Sequence, residues 1–75
     1  MNSTIENDRL LRRPEVEQRV GLRKSAIYAM IAVGKFPKPI RLSERAVRWS
    51  SHEISRYIEA RRAERDAEDE PPRAA

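Results

Sequence analysis

Apolar residues between Val16 and Gly34 recur with a helical period that is interrupted once. Val16, Val20 and Leu22 are followed by Ile27, Met30 and Ile31, and Gly21 stands at the break. Spacings of three and four residues put each set on one side of a short helix. A glycine at the break supplies the positive φ that a tight joint requires. The pattern predicts a first helix over about Pro14 to Val20, a turn at Gly21 and Leu22, and a second helix that begins near Arg23 to Ser25 and stops at Gly34. That is helix-turn-helix spacing. Pro14 suits a first helical turn, and Glu15 and Glu17 sit near its positive end. Gly34 fits a left-handed C-cap, with Pro37 and Pro39 beyond it barring any continuation.

If Ile27, Met30 and Ile31 turn inward, Lys24, Ser25, Tyr28, Ala29, Ala32 and Lys35 fall on or beside the opposite face of the second helix. Such a face is polar, partly basic and short-chained, which suits the major groove of B-DNA. Amphipathic helix pairs joined by a glycine also occur in small domains that never touch DNA. The rest of the chain therefore has to decide between the two.

After Pro39 the period becomes two. Ile40 and Leu42 alternate with Arg41, and Val47 and Trp49 alternate with Ala46 and Arg48, about a turn at Ser43, Glu44 and Arg45. This predicts a β-hairpin from Ile40 to Trp49 with Ile40, Leu42, Val47 and Trp49 on its inner face. Arg41 and Arg48 then point outward and Arg45 occupies the tip. A ribbon of this kind beside a recognition helix is a wing, whose arginines lie along phosphates or reach the minor groove. The same charges also guard a sheet edge against aggregation. Ser50-Ser51-His52-Glu53 has the form of a capping box. It opens a third helix with Ile54, Tyr57 and Ile58 as its apolar stripe and Glu59, Arg61, Arg62, Glu64 and Arg65 in solvent.

Phe36 reads as a core plug that carries the chain back over the helices, and Leu10 and Leu11 as a lead-in packed beneath them. The polar segment from Met1 to Asp8 lacks periodicity. The fold class expected is therefore mainly α, three helices with a small β-hairpin wing, a winged helix-turn-helix over residues 9–65. A disordered arm (1–8) and a disordered acidic tail (66–75) flank it.

Seventy-five residues allow one domain with a small core. The chain contains no cysteine and a single histidine, His52, so disulfides, thiolate sites and a metal cluster are not expected, nor is any cofactor. The longest apolar run, Ala26 to Val33, is far below the roughly 20 residues that span a bilayer. The N-terminal MNSTIEND carries neither a basic flank nor an apolar segment. A cytoplasmic protein without a membrane partner is expected. No nucleophile with a base, paired carboxylates or Gly-rich phosphate loop is legible, so an enzyme is not expected.

Charge sharpens this picture. The net charge is +4, yet residues 9–65 hold 15 Lys and Arg against 6 Asp and Glu, while both ends are acidic. A basic surplus of that size in so small a body fits a phosphate-binding surface as well as a solubilising one.

The stretches RLLRRPEVEQRVGLRKSAIYAMIAVGKFPKPIRL and RAVRWSSHEISRYIEARRAER resemble the AlpA family of small phage and prophage transcriptional regulators. The most specific pieces are Gly21-Leu22, Ser25-Ala26-Ile27-Tyr28, the Gly34 to Pro39 link, and Trp49 followed by Ser-x-x-Glu-Ile. The resemblance implies a MerR-like or excisionase-like winged helix-turn-helix that binds double-stranded DNA and regulates genes of a mobile element. It implies that Arg23, Lys24, Ser25 and Tyr28 contact groove and phosphates, with Lys35 and Lys38 on the link beside them. Arg41, Arg45 and Arg48 belong to the wing. Ala29 departs from the basic or long polar residue that members often carry after the tyrosine, which limits base reading there to a thymine methyl. Expected partners are DNA, a second copy in a homodimer or cooperative array, and a recombinase or the transcription machinery on the bacterial nucleoid. Two alternatives share the fold: an excisionase-type factor that bends DNA for recombination, and an adaptor that grips another protein.

Overall fold

The computed structural model describes residues 7–68. Strand β1 (Leu10–Leu11) is followed by helix α1 (Arg13–Val20), helix α2 (Lys24–Ala32), strands β2 (Ile40–Arg41) and β3 (Val47–Ser50), and helix α3 (Ser51–Glu68). The strands form one antiparallel sheet in the order β1-β3-β2. Three helices with this small sheet make a mainly helical, winged helix-like fold.

Both glycines act where the spacing places them. Gly21, at φ +72°, ends α1 in the left-handed conformation, and its N–H donates to the Glu17 carbonyl at 2.8 Å. At the end of α2, Gly34 (φ +76°) donates to Ile31 O at 3.0 Å and Lys35 N–H to Met30 O at 2.8 Å. This paired arrangement is a Schellman motif, which satisfies two carbonyls that the helix end would otherwise orphan.

Leu11, Val16, Ile27, Phe36, Trp49 and Ile54 form the buried core, with at least one residue from every helix. Val20, Leu22, Met30, Ile31, Val47, Tyr57 and Ile58 pack around it, half-buried. Trp49 is the largest side chain in the core. Its indole Nε1–H donates to the Pro37 carbonyl at 3.0 Å, and its ring meets Tyr28 edge-on at 6.2 Å. Phe36 is the expected plug and packs edge-to-face on Tyr57 at 4.7 Å.

Four expectations are corrected. Leu10 and Leu11 form a third strand rather than a lead-in beneath the helices. Leu10 pairs with Ser50 and Leu11 with Trp49, so only Leu11 enters the core. The expected inner face of the hairpin is not shared by all four of its apolar residues. Ile40 faces Arg48 and Arg41 faces Val47, which leaves Ile40 39% and Leu42 52% exposed instead of lining the inner face. The reason is the turn: Leu42 N–H donates to Ala46 O at 2.8 Å, and pairing counted back from that closure fixes which residues stand opposite one another.

The remaining two concern the ends of the domain. Asp8, assigned to the arm, caps α3. Its carboxylate accepts from the Ser50 hydroxyl at 2.7 Å, the Ser51 hydroxyl at 3.1 Å and the His52 N–H at 3.0 Å. Ser50 Oγ does accept from the Glu53 N–H at 3.1 Å as a capping box requires, while Asp8 adds a second acceptor at this helix start by taking the His52 N–H. At the other end, α3 runs on through Asp66, Ala67 and Glu68, residues assigned to the tail. Residues 1–6 of the expected arm and 69–75 of the expected tail lie outside the described residues.

Candidate nucleic-acid interface

Helix α2 divides as its sequence requires. Ile27 is fully buried and Met30 and Ile31 are half-buried, whereas Lys24, Ser25, Ala29 and Ala32 are exposed. Tyr28 is 36% exposed, with one side of its ring against Trp49 and the remainder open. Arg23 is the N-cap residue, with φ −93° and ψ 171°. The Arg23 side chain makes no capping hydrogen bond, and the first turn of the helix holds no acidic residue. A positive helix terminus flanked by Arg23 and Lys24 and lacking a carboxylate is electrostatically open to an anion.

The wing arginines are not all outward as the alternation predicts. The register puts Arg48 on the face of the ribbon shared with Ile40, and Arg41 on the face shared with Val47. Arg41 is exposed and donates to the Glu44 carbonyl at 3.3 Å. Arg48 is half-buried rather than pointing freely outward, and donates to the Val47 carbonyl at 2.8 Å. Arg45 sits at a central position of the Ser43 to Ala46 turn and is exposed.

A groove joins Arg45 and Arg48 to Arg12, Arg13 and Pro14 at the start of α1. Arg12 and Arg13 are not among the residues expected to contact DNA. The pairing of β1 with β3, which the sequence does not signal, brings the segment after Leu11 alongside Arg48. Lys35 and Lys38 line a different groove, shared with Arg56, Tyr57 and Arg61 of α3. The expected residues thus fall into an α2 face, a wing-side groove and a link-side groove.

Among the described residues, no group of three His, Cys, Asp or Glu side chains could hold a metal ion. No helix among them is long and apolar enough to cross a membrane.

Residues 9–62 match the family described as the prophage CP4-57 regulatory protein (AlpA). The chain is also similar to an uncharacterised protein, ORF88, of Enterobacteria phage P4. The two are 38% identical over 61 residues, covering 81% of this chain and 69% of the phage protein. The matched region takes in all three strands, the helix pair and most of α3, and on that basis the chain belongs to the AlpA family of phage-associated regulatory proteins.

Proposed function

We propose that the protein is a sequence-specific DNA-binding transcriptional regulator of a phage or integrated mobile element, and not an enzyme. The observation that carries this reading is the division of α2. Ile27 anchors the helix in the core while Lys24, Ser25, Tyr28 and Ala29 are presented to solvent from a helix start free of carboxylates. In this reading α2 enters the major groove, with Arg23, Lys24, Ser25 and Tyr28 at bases and phosphates and Lys35 and Lys38 beside it. The wing residues Arg41, Arg45 and Arg48 lie on the backbone or in the minor groove. The basic surplus of residues 9–65 supports a polyanionic partner. The family's description as regulatory favours control of transcription over an excisionase role, and the protein acts on the bacterial nucleoid.

A single module of this size buries only about 600–1,000 Å² on DNA. The protein therefore binds as a dimer or cooperatively along tandem sites. Sedimentation of the saturated complex should give more than one protomer per operator, and one protomer per isolated site would contradict this.

Dimethyl sulfate footprinting on the DNA upstream of the protein's own gene tests the major-groove assignment. Protection of guanine N7 in a short block, lost in the Lys24→Ala/Tyr28→Ala variant, is the expected result. Binding that leaves every guanine N7 reactive would overturn it.

A further inference from the structure

Arg12, Arg13, Arg45 and Arg48 converge on one groove from two elements far apart in sequence. The β1–β3 register runs Leu10 to Ser50 and Leu11 to Trp49. Arg12 continues the extended backbone of β1, at φ −83° and ψ 161°, so the next step of that register sets it across from Arg48. Like charges directly opposite on neighbouring strands repel. Among the described residues a single salt bridge reaches these four guanidinium groups: Glu17 accepts from Arg13 Nε at 2.9 Å, whereas the Glu15 carboxylate accepts from the Arg12 backbone N–H. Arg12 and Arg45 make no salt bridge among the described residues, and both are exposed. On α3, by contrast, Arg61, Arg62 and Arg65 each hold a carboxylate of their own helix, although Arg56 makes no salt bridge among the described residues. A folded protein that gathers four arginines and leaves two without counterions retains a repulsion that a bound polyanion relieves.

We propose that this groove is a clamp for one strand of the sugar-phosphate backbone of duplex DNA, with Arg12 on one jaw and Arg45 on the other. The Glu17 contact on Arg13 and the Val47 carbonyl contact on Arg48 steady those two side chains, leaving their remaining N–H groups to face the groove. The groove fixes the register of α2 on the duplex and carries no base readout of its own. It extends the interface to Arg12 and Arg13; Arg41 does not line this groove and takes no part in the clamp. This inference rests on the DNA-binding reading above.

The test is the salt dependence of duplex binding, measured by fluorescence anisotropy for the full chain and its Arg12→Ala, Arg45→Ala and Arg12→Lys variants. The duplexes are the upstream DNA and a scrambled sequence. Each alanine substitution should lower the slope of log K against log salt by about 1 and weaken both duplexes alike. Arg12→Lys should keep the slope, and Arg62→Ala, a control on α3 outside both the wing-side and link-side grooves, should leave it unchanged. Wild-type slopes for Arg12→Ala and Arg45→Ala, in a protein that itself binds duplex DNA, would overturn the clamp alone. Failure of the wild-type protein to bind either duplex would overturn the DNA-binding reading and the clamp with it. A loss confined to the upstream sequence would show base readout and would also contradict the clamp.

Discussion

Asp8 shows how one side chain can join distant parts of a small chain. Its carboxylate gathers the His52 N–H and the Ser50 and Ser51 hydroxyls at the positive start of α3. Arg9 N–H donates to Ser51 Oγ beside it at 2.9 Å. The His52 N–H bond, then the Ser50 hydroxyl, hold the Asp8 pKa at about 2, below the usual 3.8. Because the folded value is the lower one, the carboxylate's contribution is complete above about pH 4 and is lost as pH falls towards 2. Thermal melts should therefore show Asp8→Asn less stable than wild type at pH 7, with the difference shrinking between pH 4 and pH 2. A constant difference across that range would show that the charge contributes nothing. The Tyr28 ring packs on Trp49 and is partly exposed on the candidate DNA face, and removing its hydroxyl separates packing from the proposed DNA contact. Tyr28→Phe should keep the melting behaviour within about 0.5 kcal/mol. It should weaken binding to the upstream duplex by several-fold while leaving a scrambled duplex unaffected, as anisotropy will read. None of the Asp8 contacts can be read from sequence, because the partners lie more than 40 residues apart and each residue type is common at a surface.

At the scale of elements, the helix pair is legible because glycine and the apolar spacing agree. Gly34 stands at φ +76° with nothing near the position of an added Cβ, so Gly34→Ala incurs backbone strain and no clash. Chemical denaturation should show a loss of about 1–2 kcal/mol, and an unchanged midpoint would mean the left-handed cap is dispensable. The hairpin is an instructive partial failure. The turn at Ser43, Glu44 and Arg45 is readable, and its three-residue length already implies that Arg41 faces Val47. Hydrophobicity suggested the opposite for Ile40 and Leu42, and four alternating positions are too few for pattern to prevail over turn geometry. Strand β1 spans two residues, too short for any period, and it exists only because β3 offers it an edge. The end of α3 was hidden by its acidic composition, although its Arg62–Glu59, Arg61–Glu64 and Arg65–Asp66 pairs are the local contacts that suit an exposed helix. Of the candidate interface, the face of α2 was legible from helical spacing. The joining of Arg12 and Arg13 to the wing was not, since it depends on the β1–β3 pairing.

On the scale of the whole molecule, a core of six buried residues holds three helices and a small sheet around Trp49. With so little interior, nearly every charged side chain is at the surface, and the distribution of charge becomes the main functional statement of the chain. Its basic surplus lies in residues 9–65, the same stretch that forms the helix pair and the wing. The central claim is that this body recognises a particular DNA sequence. Fluorescence anisotropy of the wild-type protein against its own upstream DNA and a scrambled duplex, at several salt concentrations, tests it most directly. The account predicts tighter binding to the upstream DNA at every salt concentration, with a steep fall in affinity as salt rises. Equal affinity for the two duplexes, or no binding to either at low salt, would contradict it.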